Sequence, residues 1–202
     1  MDQAQGSSVL FAGDSVTDCG RREDPQGLGD GYVRVLASQL NPQGITVSNV
    51  GIGGDRVVDL KARWAEDVLS SDADVLSILV GINDTWRRFD SNEPTSAEDF
   101  EAGYRELLQQ ARPQFKRLVL VQPFVLPVTA GQQDWHEDLS AKQEAVTRLA
   151  AEFDAVLVPA HERLNAEAPD HGGNAVLAED GVHPTAVGHE RLAAIWLESV
   201  NV

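Results

Sequence analysis

Val9-Leu10-Phe11-Ala12-Gly13-Asp14-Ser15-Val16-Thr17 runs from unbroken apolar residues into a glycine and a polar turn. A short apolar run that stops on such a turn reads as a buried strand feeding a helix. The same kind of run recurs at Ile45–Val50, Val75–Val80, Leu118–Gln122 and Val156–Pro159. Runs with little polar alternation suit strands covered on both faces, the condition of a parallel sheet. Amphipathic stretches lie between them. Val57, Leu60, Trp64 and Val68 recur at helical spacing and mark one helix face. Thr95 with Glu98 reads as a capping box ahead of Phe100, Tyr104, Leu107 and Leu108. Leu139–Phe153 turns Leu139, Ala145, Val146, Leu149 and Phe153 inward. Thr185–Val200 starts after Pro184 and puts Val187, Leu192, Ile195 and Trp196 near one face. Strand and helix therefore alternate, and the expected fold is a three-layer α/β/α sandwich around a mainly parallel five-stranded sheet.

A chain of 202 residues fits one domain, 1–202, with residues 1–8 expected as a flexible N-terminal extension. It carries 32 acidic and 16 basic side chains, a formal charge of −16. A body so acidic repels polyanions, so nucleic acid and anionic membrane surfaces are poor partners. Cys19 is the single cysteine, which leaves no intrachain disulfide; it reads as a small packing residue. The N-terminus lacks a basic start with a long apolar stretch, and no run reaches the roughly 18 apolar residues of a membrane span. The expectation is a soluble, cytoplasmic protein.

In an open parallel sheet, ligands bind beyond the carboxyl ends of the strands. Four segments fall there. Gly13-Asp14-Ser15 ends the first strand, and its serine is either a nucleophile in the crevice or a helix cap. Gly51-Ile52-Gly53-Gly54 follows the second strand and exposes backbone N–H groups, as an oxyanion site requires, or is an ordinary turn. It is no dinucleotide fingerprint, because the next required glycine falls at Arg56. In Gly81-Ile82-Asn83-Asp84 the asparagine amide is a donor that does not titrate, or a turn former. Asp180-Gly181-Val182-His183 places a carboxylate within reach of one imidazole nitrogen and frees the other as a base, or His183 simply caps the start of the last helix. His136, His161, His171 and His189 have no partner at a telling spacing and read as structural or solvated.

Together these blocks supply a nucleophile, a base, an orienting acid and oxyanion donors, the set needed for acyl transfer. Gly-Asp-Ser, Gly-Gly, Gly-Ile-Asn-Asp and Asp-x-x-His, in that order from Gly13 to Pro184, resemble the GDSL or SGNH hydrolase family. An α/β-hydrolase elbow would want a glycine where Thr17 stands. Gly13–Arg21, Asp59–Trp64 and Gly81–Arg87 are similar to the intracellular GDSL-type acetylxylan esterases. The resemblance implies a flavodoxin-like sheet and a serine esterase acting on an acetylated sugar or another small ester, with no cofactor or metal. It implies Ser15, His183 and Asp180 as the catalytic residues. The backbone N–H groups of Ser15 and Gly54, with the Asn83 amide, form the oxyanion hole. Asp14, Asp84, Trp86 and Arg87 fall on the substrate side, where the two carboxylates can also simply organise their loops. Phe89, Phe124 and Trp135 lie on candidate rim loops, and a homo-oligomer is the expected assembly. The alternatives are a lysophospholipase, thioesterase or arylesterase on the same scaffold, or a silent protein that binds an ester or glycan.

Overall fold

The computed structural model describes residues 7–201. Five strands form one parallel sheet in the order β2-β1-β3-β4-β5, from β1 (Ser8–Gly13), β2 (Thr46–Asn49), β3 (Val75–Leu79), β4 (Arg117–Val121) and β5 (Val156–Val158). The helices, in chain order, are α1 (Ser15–Asp18), α2 (Tyr32–Leu40), α3 (Val57–Ala62), α4 (Trp64–Asp67), α5 (Ile82–Asp90) and α6 (Ala97–Ala111). They continue with α7 (Ala130–Gln133), α8 (His136–Glu152), α9 (Ala160–Glu167), α10 (Asn174–Leu177) and α11 (Ala186–Val200).

Alternating sheet residues feed two separate cores. Val9, Phe11, Leu79, Val119 and Val121 pack on α2 and α11 through Leu36 and Trp196. Leu10, Ala12, Leu76, Ile78, Leu118 and Leu120 pack on α3, α6 and α8 through Leu60, Tyr104 and Val146. Those two layers are why β1, β3 and β4 carry near-continuous apolar runs; Ser77, the polar residue within β3, is buried and accepts from Trp196 Nε1 at 2.9 Å. β2 departs from the expectation of two covered faces: Thr46 and Ser48 are exposed and Val47 and Asn49 buried. It is an edge strand, and among the described residues no helix covers its outer face. At the other edge, Val156 and Leu157 are only half-buried.

Local chemistry explains further departures. Ser8 is already the first residue of β1, so the expected N-terminal extension does not reach it; residues 1–6 lie outside the described part of the chain. The cap of α6 is Ser96, which accepts from the Asp99 backbone N–H, and not Thr95 with Glu98. The face through Val57, Leu60, Trp64 and Val68 is buried as expected, yet the helix breaks at Arg63 (φ −112°, ψ 6°). Val187, expected inward, is exposed, because the buried side of the first turn of α11 runs through Gly188 and His189 instead. Phe153 ends α8 as its C-cap and is half-buried. Trp64 and Trp196 are core residues. Among the described residues, no helix is long and apolar enough to cross a membrane.

Candidate active site

Gly13 closes β1 where the chain passes tightly between neighbours. A Cβ there would lie 2.1 Å from the Leu79 carbonyl oxygen, so only glycine fits. Asp14 then caps α1, its Oδ1 accepting from the Val16 backbone N–H at 3.1 Å. Ser15 is the first residue of that short helix, so its N–H is one of the unpaired donors of a helix start. Its Oγ lies 2.9 Å from His183 Nε2.

The loop ahead of α11 shapes the histidine. Asp180 Oδ1 accepts from the backbone N–H groups of Val182 and His183 at 2.9 and 2.8 Å, and Oδ2 sits 2.6 Å from His183 Nδ1. A carboxylate can only accept, so Nδ1 carries the proton and Nε2 presents its lone pair to Ser15. Burial pushes the Asp180 carboxyl up, but the hydrogen bonds from the His183 ring and backbone and from Val182 outweigh it and hold the group below its ordinary value. Gln132, which has no signature in the sequence, anchors this loop. Its Nε2 donates to the Asp180 carbonyl at 2.6 Å, and its Oε1 accepts from the Val128 and Thr129 backbone N–H groups.

The second and third blocks converge beside Ser15. Gly54 holds φ +88°, a left-handed conformation that favours glycine. Among the described residues, neither the Ser15 nor the Gly54 backbone N–H donates to a protein acceptor. Asn83, in the first turn of α5, commits one amide N–H to the Asp55 carbonyl at 3.1 Å and keeps the other. Asn49 tethers the same loop: its Nδ2 donates to the Thr17 and Leu28 carbonyls while its Oδ1 accepts from Gly51. An imidazole lone pair on a hydroxyl, beside uncommitted N–H donors, can take a proton from the hydroxyl and stabilise an anion formed next to it.

The carboxylates expected on the substrate side face inward instead. Asp14 and Asp84 are buried at 0% and 1% exposure. Asp84 Oδ2 accepts from the Val57 backbone N–H at 3.1 Å, tying α5 to α3. Burial pushes both carboxyls up to about 7. Trp86 and Arg87 do reach the rim. The Trp86 ring lies 5.9 Å from that of His183 and 5.4 Å from that of Trp135. Arg87 pairs with Asp90 at 2.8 Å. Exposed Phe89 stacks on buried Trp135, and a groove of about 390 Å³ is lined by Trp86, Phe89, Thr129 and Trp135. Phe124 is buried in the core and does not form rim. His189 is structural: its Nδ1 accepts from the Tyr32 backbone N–H, its Nε2 meets Cys19 Sγ, and burial pushes it down to about 4.

A parallel α/β/α sandwich with these blocks at its carboxyl edge has the SGNH hydrolase fold, and the protein is a carboxylic ester hydrolase. The chain belongs to the GDSL-like lipase/acylhydrolase family, whose model matches residues 11–191. It is 36% identical, over 215 aligned positions covering 100% of this chain and 97% of the relative, to an acetylxylan esterase from Geobacillus stearothermophilus. A crystal structure of that enzyme superposes with a TM-score of 0.89 at 35% identity, over 98% of this chain and 95% of the other. An enzyme from the metagenome of Lake Arreo, Spain, described as an α/β hydrolase, gives a TM-score of 0.89 at 28% identity over 98% and 97% of the two chains. Three further structures of the Geobacillus enzyme are of catalytic mutants, in which a serine, an aspartate and a histidine are each replaced by alanine.

Proposed function

We propose that the protein is a serine acetylesterase that removes acetyl groups from xylo-oligosaccharides or related acetylated sugars through an acyl-enzyme. His183 Nε2 takes the Ser15 proton as Oγ attacks the acetyl carbonyl. The carbonyl oxygen becomes an oxyanion, met by the Ser15 and Gly54 N–H groups and the free Asn83 amide proton. Asp180 holds the imidazole and stabilises the imidazolium. The imidazolium returns its proton to the departing sugar oxygen as the ester C–O bond breaks. Water, deprotonated by His183, then attacks the acetyl-serine and releases acetate and Ser15.

The observation that carries this reading is the hydrogen-bonded row Ser15–His183–Asp180, at 2.9 and 2.6 Å, beside donors with no protein acceptor. The acetylated-sugar substrate rests on the Geobacillus relative, together with the aromatic groove at Trp86 and Phe89. An apolar ring face there offers a stacking surface for a sugar.

Hydrolysis rates on chromogenic esters from acetyl to octanoyl, with Ser15→Ala alongside, test the proposal. The expected result is a maximum at acetyl and no turnover in the variant. A maximum at long chains would keep the nucleophile and overturn the sugar substrate in favour of a lipase or thioesterase. Binding of acetylated oligosaccharide without hydrolysis of any ester would overturn the catalytic reading.

A further inference from the structure

Arg63 takes no part in the proposed chemistry, yet it ties together the segments that carry the oxyanion donors. Its side chain is 14% exposed and sits where α3 breaks into α4. Nε donates to Asp55 Oδ2 at 2.7 Å. Nη1 donates to the Val50 carbonyl at 2.6 Å and to Asp67 Oδ2 at 2.7 Å, and Nη2 to the Gly13 carbonyl at 3.2 Å. Gly13 stands two residues before Ser15, Val50 opens the glycine loop, and Asp55 directly follows Gly54. The Asp55 carbonyl in turn receives the committed amide proton of Asn83.

We infer that Arg63 is the positioning residue of the oxyanion hole, fixing the Ser15, Gly54 and Asn83 donors relative to one another. The inference rests on the esterase reading above. The glycine-rich loop has wide backbone freedom of its own, so something outside it must set where its N–H groups point. A guanidinium is a rigid planar fork that meets several acceptors at fixed angles, whereas an ammonium is a compact point on a flexible stem. Its charge does a second job. Asp55 directly follows Gly54, so its carboxylate belongs to the loop that carries the oxyanion donors, and the guanidinium 2.7 Å away offsets its charge; alone, that carboxylate would oppose a negative charge developing nearby. The break in the helix face at Arg63 fits this role, since the backbone leaves helical geometry at the residue whose side chain spans the loops.

The test compares wild type with Arg63→Lys and Arg63→Gln on a short acetyl ester, with kcat expressed per serine titrated by an irreversible organophosphonate and with Tm measured in parallel. Misplacing reacting groups by about 1 Å can cost on the order of 100-fold. Both variants are expected to lose at least about tenfold in kcat per titrated serine while KM changes little, with Arg63→Lys recovering only part. Combining Arg63→Gln with Asn83→Ala is expected to cost far less than the product of the two, because both act on the same donors. Lower Tm and fewer titratable serines with wild-type kcat per serine would overturn the inference. Should Arg63→Gln fail to fold, Arg63→Lys carries the test: it keeps the charge and loses the planar fork that spans the loops. Wild-type kcat per serine there would equally overturn it. Ser15→Ala separates the two levels. If that variant still turns over, the esterase reading fails; if it is dead and the Arg63 variants are unaffected, only the positioning role fails.

Discussion

At the scale of single residues, the proposed role of Asn83 is read through turnover. In the proposed mechanism the Asn83 amide meets the oxyanion with a neutral donor, and loss of one such donor typically costs about 100- to 1,000-fold in turnover. Asn83→Ala should lose kcat in that range while its melting temperature stays close to wild type; unchanged turnover would remove the residue from the site. Asp14 is read through pH. Burial raises its carboxyl from an ordinary 3.8 to about 7. A group that is harder to ionise when folded contributes stability that is whole below about 3.8 and is lost as pH rises through about 7. Asp14→Asn keeps an oxygen for the Val16 N–H and removes the titration. Its unfolding free energy should therefore fall less steeply than that of wild type between those two pH values. Denaturation curves with parallel pH slopes would show that Asp14 is ionised in the native state.

At the scale of elements, α8 pins α5 by charge. Lys142 is fully buried on α8 and pairs with Asp138, which also receives Arg88 of α5 at 3.0 Å. Removing one partner of a buried pair costs about 3–5 kcal/mol, and the remaining Arg88 places Lys142→Met near about 3 kcal/mol. Chemical denaturation checks this, and a cost below about 0.5 kcal/mol would mean that the pair contributes nothing. Residue patterns reveal elements where one face meets one core. The runs of β1, β3 and β4 and the inward positions Leu139, Ala145, Val146 and Leu149 of α8 are of this kind. Patterns fail where a neighbour decides. The runs at both sheet edges look apolar, but β2 and β5 each pair with a single neighbouring strand and one face of β2 stays exposed. Thr95 and Ser96 are equally good caps in isolation, and only the turn geometry selects Ser96. The four blocks are legible because acyl transfer needs fixed residue types at strand ends. Gln132 and Arg63 are not legible, because both work through backbone carbonyls and loop contacts that no spacing encodes.

At the scale of the whole molecule, charge is the dominant feature. With 32 acids against 16 bases, acidic side chains outnumber available partners two to one. Exposed ion pairs contribute about 0–1 kcal/mol each, whereas uncompensated like charge repels across the surface and is screened by salt within about 10 Å at 0.1 M. Repulsion should outweigh the pairs, so Tm should rise from low salt to about 0.5 M sodium chloride. A fall in Tm would show that ion pairs such as Arg105–Glu152 and Arg163–Glu198 dominate instead.

The central claim is that Ser15 is a nucleophile activated by His183. Mass spectrometry after reaction with an organophosphonate, followed by proteolytic mapping, tests it most directly. The account predicts one adduct per chain, on the peptide bearing Ser15, with labelling slowed severely in His183→Ala. An adduct on another residue, or none while the protein still hydrolyses esters, would contradict it.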